Sequence, residues 1–297
     1  MTTVAAALAA ARAKLPASEA RLLLGRVLGR PTAWLIVHDD EVLAEAELLG
    51  FASLVARRAG GEPVAYLVGH REFFGREFAV SPAVLIPRPE TELLVEIALK
   101  KGVGAGALCV PGTPLCRPAK RNFRQAEPGQ VTAKILDLGT GSGCIAVTLA
   151  LEIPQALVTA VDASAAALAV ASRNAERHGA KLRLLQGNWF AALTGECFDL
   201  IVANPPYIAA GDPHLAAGDL RHEPPAALSS GADGLDAIRR IIAAAPAHLA
   251  PGGQLLLEHG YDQGEAVREL LAAAGFADIE QYRDLAGIVR VSGGRLN

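Results

Sequence analysis

Hydrophobic residues recur at helical spacing along the N-terminal part of the chain. One apolar series lies over 22–28, and a second over 48–55 ends at the stop signal Gly60-Gly61. Helices with this spacing bury one face against each other. The pattern therefore predicts a small helical bundle, and we expect a helical substrate-recognition domain over 1–72.

The next segment changes to residues that favour β-strands. Its sequence, FFGREFAVSPAVLI, lets Gly75-Arg76 form a tight turn between two short strands. We predict a β-hairpin linker over 73–87. Acidic residues near Pro89 then suit the first turn of a helix, where the positive end of the helix dipole lies, and this helix is predicted to run to about Lys100.

Short apolar strands alternate with helical patterns from Lys134 to the end of the chain. The predicted strands are ILDL, LVTAVD, KLRLLQ, FDLIVAN and QLLLEH, with two late strands near 278–283 and 287–292. Alternation of this kind is typical of a parallel sheet covered by helices on both faces. We therefore predict an α/β domain over 88–297 with a doubly wound, mostly parallel sheet.

Composition and charge narrow the classes of partner. The chain has 297 residues, enough for two domains, and a net charge of −3. It has no global positive field, so we expect no direct binding to nucleic acid. The charge is uneven, because residues 101–134 carry a net +5 and residues 135–297 a net −7. Residues 102–132 are rich in Gly and Pro and are predicted to be a flexible basic loop.

The cysteines have neither the spacing of a zinc site nor the density of a secreted disulfide framework; they are Cys109, Cys116, Cys144 and Cys197. No metal is expected. The N-terminus lacks the basic start of a signal peptide, and no apolar run reaches the ~20 residues that span a bilayer. These features predict a cytoplasmic protein without a membrane partner.

A glycine-rich loop, DLGTGSG, follows the first strand of the predicted sheet and leads straight into a helix. It contains Gly139, Thr140, Gly141, Ser142 and Gly143. Glycines let the backbone turn sharply and let a ligand approach with no Cβ in the way. The third glycine falls one residue earlier than in nicotinamide-binding loops, so the spacing suits a nucleoside that carries no phosphate.

The next two strands end in residues that suit the same nucleoside. Asp162 lies about twenty residues after Gly139, where an acid can accept hydrogen bonds from both ribose hydroxyls. The alternative is that Asp162 caps the following helix. Asn188 and Trp189 follow the third strand, at the carboxyl edge where open α/β sheets bind ligands. Trp189 is either a platform for adenine or a core residue.

The fourth strand runs into Asn204-Pro205-Pro206-Tyr207. Two prolines remove two donors, so the Pro205 carbonyl is an acceptor beside the Asn204 side-chain oxygen. Two such acceptors can hold both hydrogens of a planar NH₂ group, and Tyr207 can lie against the π system attached to it. Held in this way, the nitrogen lone pair can face an electrophilic methyl group. The tetrapeptide predicts amino-group methylation with Asn204, Pro205 and Tyr207 as catalytic residues; the alternative is a turn that only ends a strand.

Three motifs together, LIPRPETE, DLGTGSG and NPPY, resemble those of the protein-(glutamine-N5) methyltransferases of peptide chain release factors, the HemK or PrmC family. The likeness covers nearly the whole chain. It implies a class I S-adenosylmethionine-dependent methyltransferase with a Rossmann-like sheet. It also implies methyl transfer from S-adenosyl-L-methionine to the glutamine side-chain amide in the Gly-Gly-Gln loop of class 1 release factors, in the cytoplasm.

The resemblance implies roles for individual residues. Cofactor contacts would come from the glycine loop over 139–143, Asp162, Asn188, Trp189 and Asn204. The substrate glutamine would be held by Asn204, Pro205, Pro206 and Tyr207. The methionine end of the cofactor would lie at the glycine loop, its ribose at Asp162 and its adenine at Trp189.

Other positions are similar to the family or depart from it. Arg88, Pro89 and Glu90 resemble the family's interdomain segment beside the active site. Glu223 is expected to shape the substrate entrance; the alternative is a solvent-facing acid. Asn188 stands where the family would have an aspartate at the adenine amino group, so an amide oxygen would make that contact. The loop over 102–132 is longer than in the family.

The main alternative is a DNA adenine-N6 or cytosine-N4 amino-methyltransferase, because such enzymes use the same grip on a conjugated NH₂ group. An enzyme that methylates a base in duplex DNA needs a basic surface and must flip the target base out of the helix. In this chain the net charge of residues 1–80 is zero, and that of residues 135–297 is negative. A binding module without activity is disfavoured by the intact motifs. Because a large folded substrate needs an open face, we expect a monomer.

Overall fold

The computed structural model describes residues 1–101 and 133–296 of the chain. The predicted basic loop over 102–132 lies outside these described residues. Within them, no helix combines the length and the apolar composition needed to cross a membrane.

A bundle of short helices forms the N-terminal part of the structure, as the hydrophobic spacing predicts. The helices are α1 (Val4–Ala11), α2 (Ala17–Leu28), α3 (Thr32–Val37), α4 (Glu45–Ala59) and α5 (Val64–Val68). Leu23 and Leu24 of α2 are completely buried in the core of the bundle. Gly29 ends α2 in the left-handed conformation, with φ at 62°.

The β-hairpin forms, but the predicted turn was wrong by one residue. Its antiparallel strands are β1 (His70–Phe73) and β2 (Arg76–Ala79). The turn is Phe74-Gly75, in which both residues have positive φ, 51° and 71°. A two-residue hairpin turn of this type needs positive φ at both central positions, so the glycine takes the second of them.

The boundaries of the predicted linker also differ from the structure. The core of the bundle extends to Val68, and Gly69 leads straight into β1, three residues before the predicted start. After β2 the chain makes a turn at Ser81-Pro82, in which the Val84 amide donates to the Ser81 carbonyl at 3.0 Å. Because Pro82 has no N–H to give to a strand ladder, the hairpin does not extend to residue 87.

Helices and strands, in alternation at first, make up the rest of the described chain. They are α6 (Thr91–Lys101), β3 (Lys134–Leu138), α7 (Cys144–Glu152), β4 (Leu157–Asp162), α8 (Ala165–His178), β5 (Leu182–Gln186), β6 (Phe198–Ala203), α9 (Pro225–Leu228), α10 (Asp236–Ala244), β7 (Leu249–Glu258), α11 (Gly264–Ala273), β8 (Ala277–Arg283) and β9 (Val289–Arg295). The sheet has seven strands in the order β5-β4-β3-β6-β7-β9-β8. Strands β3 to β7 pair in parallel, and β9 is antiparallel to its two neighbours. The predicted doubly wound, mostly parallel sheet is confirmed.

Both faces of the sheet are buried, which explains why its central strands are apolar runs. Ile135 of β3 packs into a core that includes Phe73 and Phe78 of the hairpin. Leu136 and Leu138 pack into a second core with α10 and α11. Successive residues of a strand point to opposite faces, so one strand supplies both cores.

The order of the strands places the two sequence motifs at one crevice. Strands β4 and β5 lie on one side of β3, and β6 and β7 lie on the other. Such a switch point opens a crevice at the carboxyl ends of the strands. Leu138 pairs with Ala203, so the glycine loop and the NPPY segment leave the sheet side by side.

Asn174 of α8 joins the hairpin to the glycine loop. Its side chain is completely buried. The side-chain amide donates to the Ala79 carbonyl at 3.0 Å and to the Ser142 carbonyl at 2.8 Å. Its oxygen accepts from the Ala79 amide at 2.7 Å. The hairpin is therefore fixed to the body that carries the site.

Candidate active site

The glycine loop folds back over the edge of the sheet. The Gly139 and Thr140 amides both donate to the Val161 carbonyl of β4, at 2.8 and 3.0 Å. Gly139, with φ at 72°, and Gly143, with φ at 81°, adopt a conformation that residues with a Cβ rarely take. The loop backbone is thereby held beside the last residues of β4.

The same two glycines allow close packing. A Cβ at Gly139 would lie 3.3 Å from the Trp189 ring, and one at Gly143 would lie 3.0 Å from the Ala171 Cβ on α8. Gly139 thus lets the indole ring approach the loop. Gly143 lets α7 and α8 pack closely and supports the loop from behind.

Asp162 lies at the end of β4 with both carboxylate oxygens hydrogen-bonded to the backbone. One oxygen accepts from the Gly141 amide at 2.9 Å and the other from the Ser164 amide at 2.8 Å. The interpretation of Asp162 as the helix cap is wrong, because Ser164 is the N-cap of α8 and its hydroxyl accepts from the Ala167 amide.

Trp189 and Asn188 follow β5 beside the glycine loop. Trp189 is half-buried and has a positive φ of 52°. It packs against the apolar core below the sheet edge and also lines the cavity described next. The two interpretations of this residue are therefore compatible, because Trp189 both packs against the core and lines the cavity.

A cavity of about 290 Å³ lies at the carboxyl edge of the sheet. The predicted site residues that line it are Gly139, Thr140, Gly141, Ser142, Asp162, Asn188, Trp189, Asn204 and Pro206. Gly143, Pro205 and Tyr207 are not part of its wall. Arg88, which precedes α6, and Thr91, the first residue of α6, complete the end of the cavity near Asn204.

Asn204 is oriented by a neighbour that sequence reasoning missed. Its Nδ2 donates to Thr91 Oγ1 at 3.0 Å, so Oδ1 is on the opposite branch of the amide. Pro205 is buried, and within the described residues no hydrogen bond reaches its carbonyl oxygen. Asn204 Oδ1 and the Pro205 carbonyl oxygen therefore have no hydrogen-bond partner among the described residues, and of these two residues only Asn204 lines the cavity.

Tyr207 is held at both its backbone and its side chain. Its carbonyl accepts from Gln263 Nε2 at 2.9 Å, and its hydroxyl donates to Glu258 Oε1 at 3.3 Å. Burial, with the nearby negative charge of Glu258, raises the pKa of the phenol above its usual value. Tyr207 is therefore neutral and acts as a hydrogen-bond donor.

Two buried carboxyl groups lie near the site. Burial raises the pKa of Glu258 to about 7, although the Thr91 and Tyr207 hydroxyls lower it. Burial also raises the pKa of Asp137 to about 7, while a hydrogen bond from Thr140 Oγ1 at 2.6 Å opposes that shift. Glu258 Oε2 and Asp137 Oδ1 have no hydrogen-bond partner in the part of the chain that the structure describes.

Glu223 is buried, so its interpretation as a solvent-facing acid is wrong. Its carboxylate accepts from the Ile86 amide at 3.0 Å and pairs with the Arg88 guanidinium. The side chain of Glu223 is fully buried, whereas that of Arg88 is 29% exposed and lines the cavity. Glu223 therefore fixes the segment before α6 at the cavity rim; Pro89 and Glu90 of that segment are exposed.

Sequence reasoning did not identify Thr91, Glu258 or Asp137 as site residues. Thr91 stands in the LIPRPETE motif, and Glu258 and Asp137 are single acids inside apolar strands. A charged residue within a buried strand is itself a signal of function. No group of three or more His, Cys, Asp and Glu side chains within 1–101 and 133–296 is arranged to hold a metal ion.

The fold and the chain are similar to known methyltransferases. A model described as the PrmC N-terminal domain matches residues 1–69, and one described as the methyltransferase small domain matches residues 122–231. A T. thermophilus 16S rRNA N2 G1207 methyltransferase, solved in complex with AdoMet and guanosine, superposes with a TM-score of 0.52 at 20% identity, over 77% of this chain and 50% of that one.

Two curated relatives match over nearly their whole length. The release factor glutamine methyltransferase of Bordetella pertussis is 51% identical over 95% of this chain and 96% of its own. That of Burkholderia pseudomallei is 52% identical over 95% of this chain and 93% of its own. The matched residues cover the helical bundle as well as the sheet. The chain therefore belongs to the release factor glutamine methyltransferase family.

Proposed function

We propose that this protein transfers a methyl group from S-adenosyl-L-methionine to the side-chain amide nitrogen of the glutamine in the Gly-Gly-Gln loop of class 1 release factors. The observation that carries the proposal is the hydrogen bond from Asn204 to Thr91, which leaves Asn204 Oδ1 as an acceptor at the cavity wall. The relatives, named release factor glutamine methyltransferases, supply the class of substrate.

The cavity fits S-adenosyl-L-methionine by the chemistry of its walls. Gly139 and Gly141 present backbone without side chains, Asp162 presents an acid to a ribose, and Trp189 presents an aromatic ring to adenine. The structurally similar rRNA methyltransferase was solved with AdoMet. Bound here, the cofactor would supply an electrophilic methyl group at the end of the cavity near Asn204.

The NPPY segment would bind the glutamine amide through hydrogen bonds and ring contact. Asn204 Oδ1 and the Pro205 carbonyl would accept its two N–H groups, and Tyr207 would lie against the planar amide. An amide nitrogen is a weak nucleophile because its lone pair is delocalised, so fixing its direction is the main contribution these residues can make. No general base is needed, because the proton can leave after transfer.

We propose that the helical bundle recognises the release factor and that the α/β body performs the transfer. The bundle exposes Ile36, Val37 and Leu49, which suits contact with a protein and not with a phosphate backbone. Since the substrate is a folded protein of the translation machinery, we propose a cytoplasmic location and a monomer with an open face.

The test is methyl transfer from labelled S-adenosyl-L-methionine to a purified class 1 release factor. We expect label on the factor and none on a Gln→Ala variant of its Gly-Gly-Gln loop. Duplex DNA serves as the second arm. Label on DNA amino groups with none on the factor would overturn the proposal in favour of a DNA amino-methyltransferase.

A second experiment tests the role of Asn204. The change Asn204→Ala removes one acceptor for the amide hydrogens, so we expect turnover to fall by at least 100-fold. Cofactor affinity, measured by calorimetry, is expected to change by less than about 5-fold, because Asp162 and the glycine loop remain. An equal loss of cofactor affinity and turnover would contradict this role.

A further inference from the structure

A short segment over 219–223, which comes after the NPPY segment, contacts the end of α4 in the helical bundle. Asp219 Oδ1 accepts a hydrogen bond from Arg58 Nη1 at 2.8 Å, and Arg221 Nη2 donates to the Gly60 carbonyl at 2.8 Å. Arg58 lies in the last turn of α4, and Gly60 follows that helix directly. These two hydrogen bonds, called the α4 contact below, join parts of the chain that are far apart in sequence.

The α4 contact is closely packed as well as polar. Gly61 has a positive φ of 97°, and a Cβ at this position would lie 1.6 Å from Arg221 Nη2. The guanidinium group therefore occupies the space that a side chain at residue 61 would fill. Arg58 is only 20% exposed, and it also pairs with Glu19 of α2 at 2.8 Å. The contact thus engages two helices of the bundle.

The same segment reaches the cavity at its other end. Glu223 ends the segment, and its buried carboxylate accepts from the Ile86 amide at 3.0 Å and pairs with Arg88. Arg88 lines the end of the cavity near Asn204. The segment therefore connects the bundle to the part of the cavity wall where methyl transfer is proposed.

The bundle has another attachment to the α/β body. The Tyr66 hydroxyl of α5 donates to the Val84 carbonyl at 2.7 Å, and α5 leads through Gly69 into the hairpin. An attachment at one short helix restrains rotation of the bundle about that helix least. The α4 contact lies on a different helix, so it restrains this rotation.

We propose that Asp219 and Arg221 are positioning residues that hold the helical bundle in one orientation relative to the cavity, so that a bound release factor is aligned with the site. The inference rests on the proposed function, because it assigns how the recognition domain is placed for its substrate. Neither residue has to touch the reacting atoms for this role.

This role affects binding of the release factor and not the chemical step. Without the α4 contact, only a fraction of the molecules has the orientation that the factor needs, and the apparent affinity falls by that fraction. A factor bound in that orientation still meets an unchanged site. The inference therefore predicts a higher KM for the factor with the same kcat, whereas damage to the site itself would lower kcat.

The decisive variant is the double change Asp219→Ala and Arg221→Met, which removes the α4 contact and leaves the pair of Arg58 with Glu19 intact. We expect the KM for a class 1 release factor to rise about 3- to 10-fold, as for the loss of two partly exposed polar contacts. We expect kcat and the Kd for S-adenosyl-L-methionine to stay within 2-fold of wild type. An unchanged KM, or a fall in kcat at unchanged KM, would overturn the inference.

The double change Arg183→Met and Glu196→Ala is the matched control. These residues form an ion pair within the α/β body, and their side chains are 51% and 35% exposed. The control therefore removes a partly exposed arginine–carboxylate pair that does not involve the bundle. Its KM for the release factor is expected to stay within 2-fold of wild type. A rise as large as that of the decisive variant would reject the inference.

The same contact can be disturbed from the bundle. Gly61→Ala would displace the Arg221 guanidinium, whereas a Cβ at Gly29, which ends α2 with φ at 62°, would meet no atom within 4 Å. Both changes introduce a side chain at positive φ, so urea unfolding first confirms that both variants are folded. We expect a higher KM for the release factor in Gly61→Ala and a KM within 2-fold of wild type in Gly29→Ala. Equal KM values in the two variants would contradict the inference.

The orientation of the bundle can also be measured without a substrate. Residual dipolar couplings of backbone amides in deuterated protein report how the bundle lies relative to the sheet. One alignment tensor is expected to fit both parts of the wild type, and the couplings of the bundle are expected to shrink in the double variant Asp219→Ala and Arg221→Met.

This measurement separates failure of the inference from failure of the proposed function. One common tensor in the double variant would reject the inference even if the wild-type protein methylated no release factor. An active wild type whose KM is unchanged in the double variant would reject the inference and leave the proposed function standing.

Discussion

The carboxylate of Asp162 accepts a hydrogen bond from the Gly141 amide at 2.9 Å, so the acid that ends β4 also holds the middle of the glycine loop. Its second oxygen accepts from the Ser164 amide. A carboxylate offers about four lone-pair positions, so acceptor capacity remains for ribose hydroxyls. Asp162 therefore has a structural role in addition to its proposed role in binding.

Replacing Asp162 should expose both roles. We expect Asp162→Ala to weaken S-adenosyl-L-methionine binding about 100-fold, since hydrogen bonds to a charged group contribute about 1.5–3 kcal/mol each. The unliganded protein should also lose about 1–2 kcal/mol of stability, because the Gly141 amide loses its partner. Calorimetry and denaturant unfolding measure the two effects. An unchanged unfolding free energy without cofactor would contradict the structural role.

The pH dependence of stability should report the buried Glu258. Its pKa is raised to about 7 from an ordinary 4.5, mainly by burial, so the folded protein holds a proton that the unfolded chain releases above pH 4.5. The contribution of this group is fully present below about pH 4.5 and is lost as pH rises through 7. We expect about 3 kcal/mol of stability to be lost across this window.

Glu258→Gln provides the comparison for that measurement. Glutamine does not titrate, so the variant should lose less stability than wild type between pH 5 and pH 8. Asp137, whose pKa is also raised to about 7, contributes in the same direction and keeps some slope in the variant. Urea unfolding at a series of pH values separates the two curves. Identical slopes would exclude Glu258 as a source of the pH dependence.

The motifs and the parallel sheet could be predicted from the sequence because each has a local pattern. The glycine loop and NPPY are contiguous, and apolar runs mark strands that are buried on both faces. The sequence prediction missed the first three residues of β1, because His70, Arg71 and Glu72 show no apolar pattern. Phe73 is the one buried residue of β1, and its burial results from the packing of the hairpin on the sheet, which the local sequence does not indicate.

The supporting residues of the site could not be predicted in the same way. Thr91 and Glu258 are far apart in sequence from Asn204, and each is a single polar residue without periodicity. Their role depends on α6 and β7 meeting behind the NPPY segment, which is a consequence of the strand order.

Glu223 should stabilise the cavity rim strongly. We expect Glu223→Ala to cost about 3 kcal/mol or more, because it leaves the Ile86 amide and the Arg88 guanidinium without their buried acceptor. Asp219→Ala is the control, since Asp219 is 44% exposed in its pair with Arg58 and should cost less than about 1 kcal/mol. Denaturant unfolding measures both. Similar small losses in the two variants would contradict the buried role of Glu223.

Gly143 should tolerate a side chain less well than another glycine with positive φ. In Gly143→Ala the strain of φ at 81° adds to a Cβ contact of 3.0 Å with Ala171 Cβ. In Gly179→Ala, at the end of α8 with φ at 68°, no atom lies within 4 Å of the new Cβ, so only the strain of about 1 kcal/mol applies. We therefore expect Gly143→Ala to be less stable than Gly179→Ala by about 1–3 kcal/mol, the usual range for an overpacked core.

Because Gly143 supports the glycine loop, we expect weaker cofactor binding in Gly143→Ala and unchanged cofactor binding in Gly179→Ala. Calorimetry on both variants measures this difference. Equal unfolding free energies would show that α7 and α8 separate freely to admit a methyl group, and would remove the packing argument for this glycine.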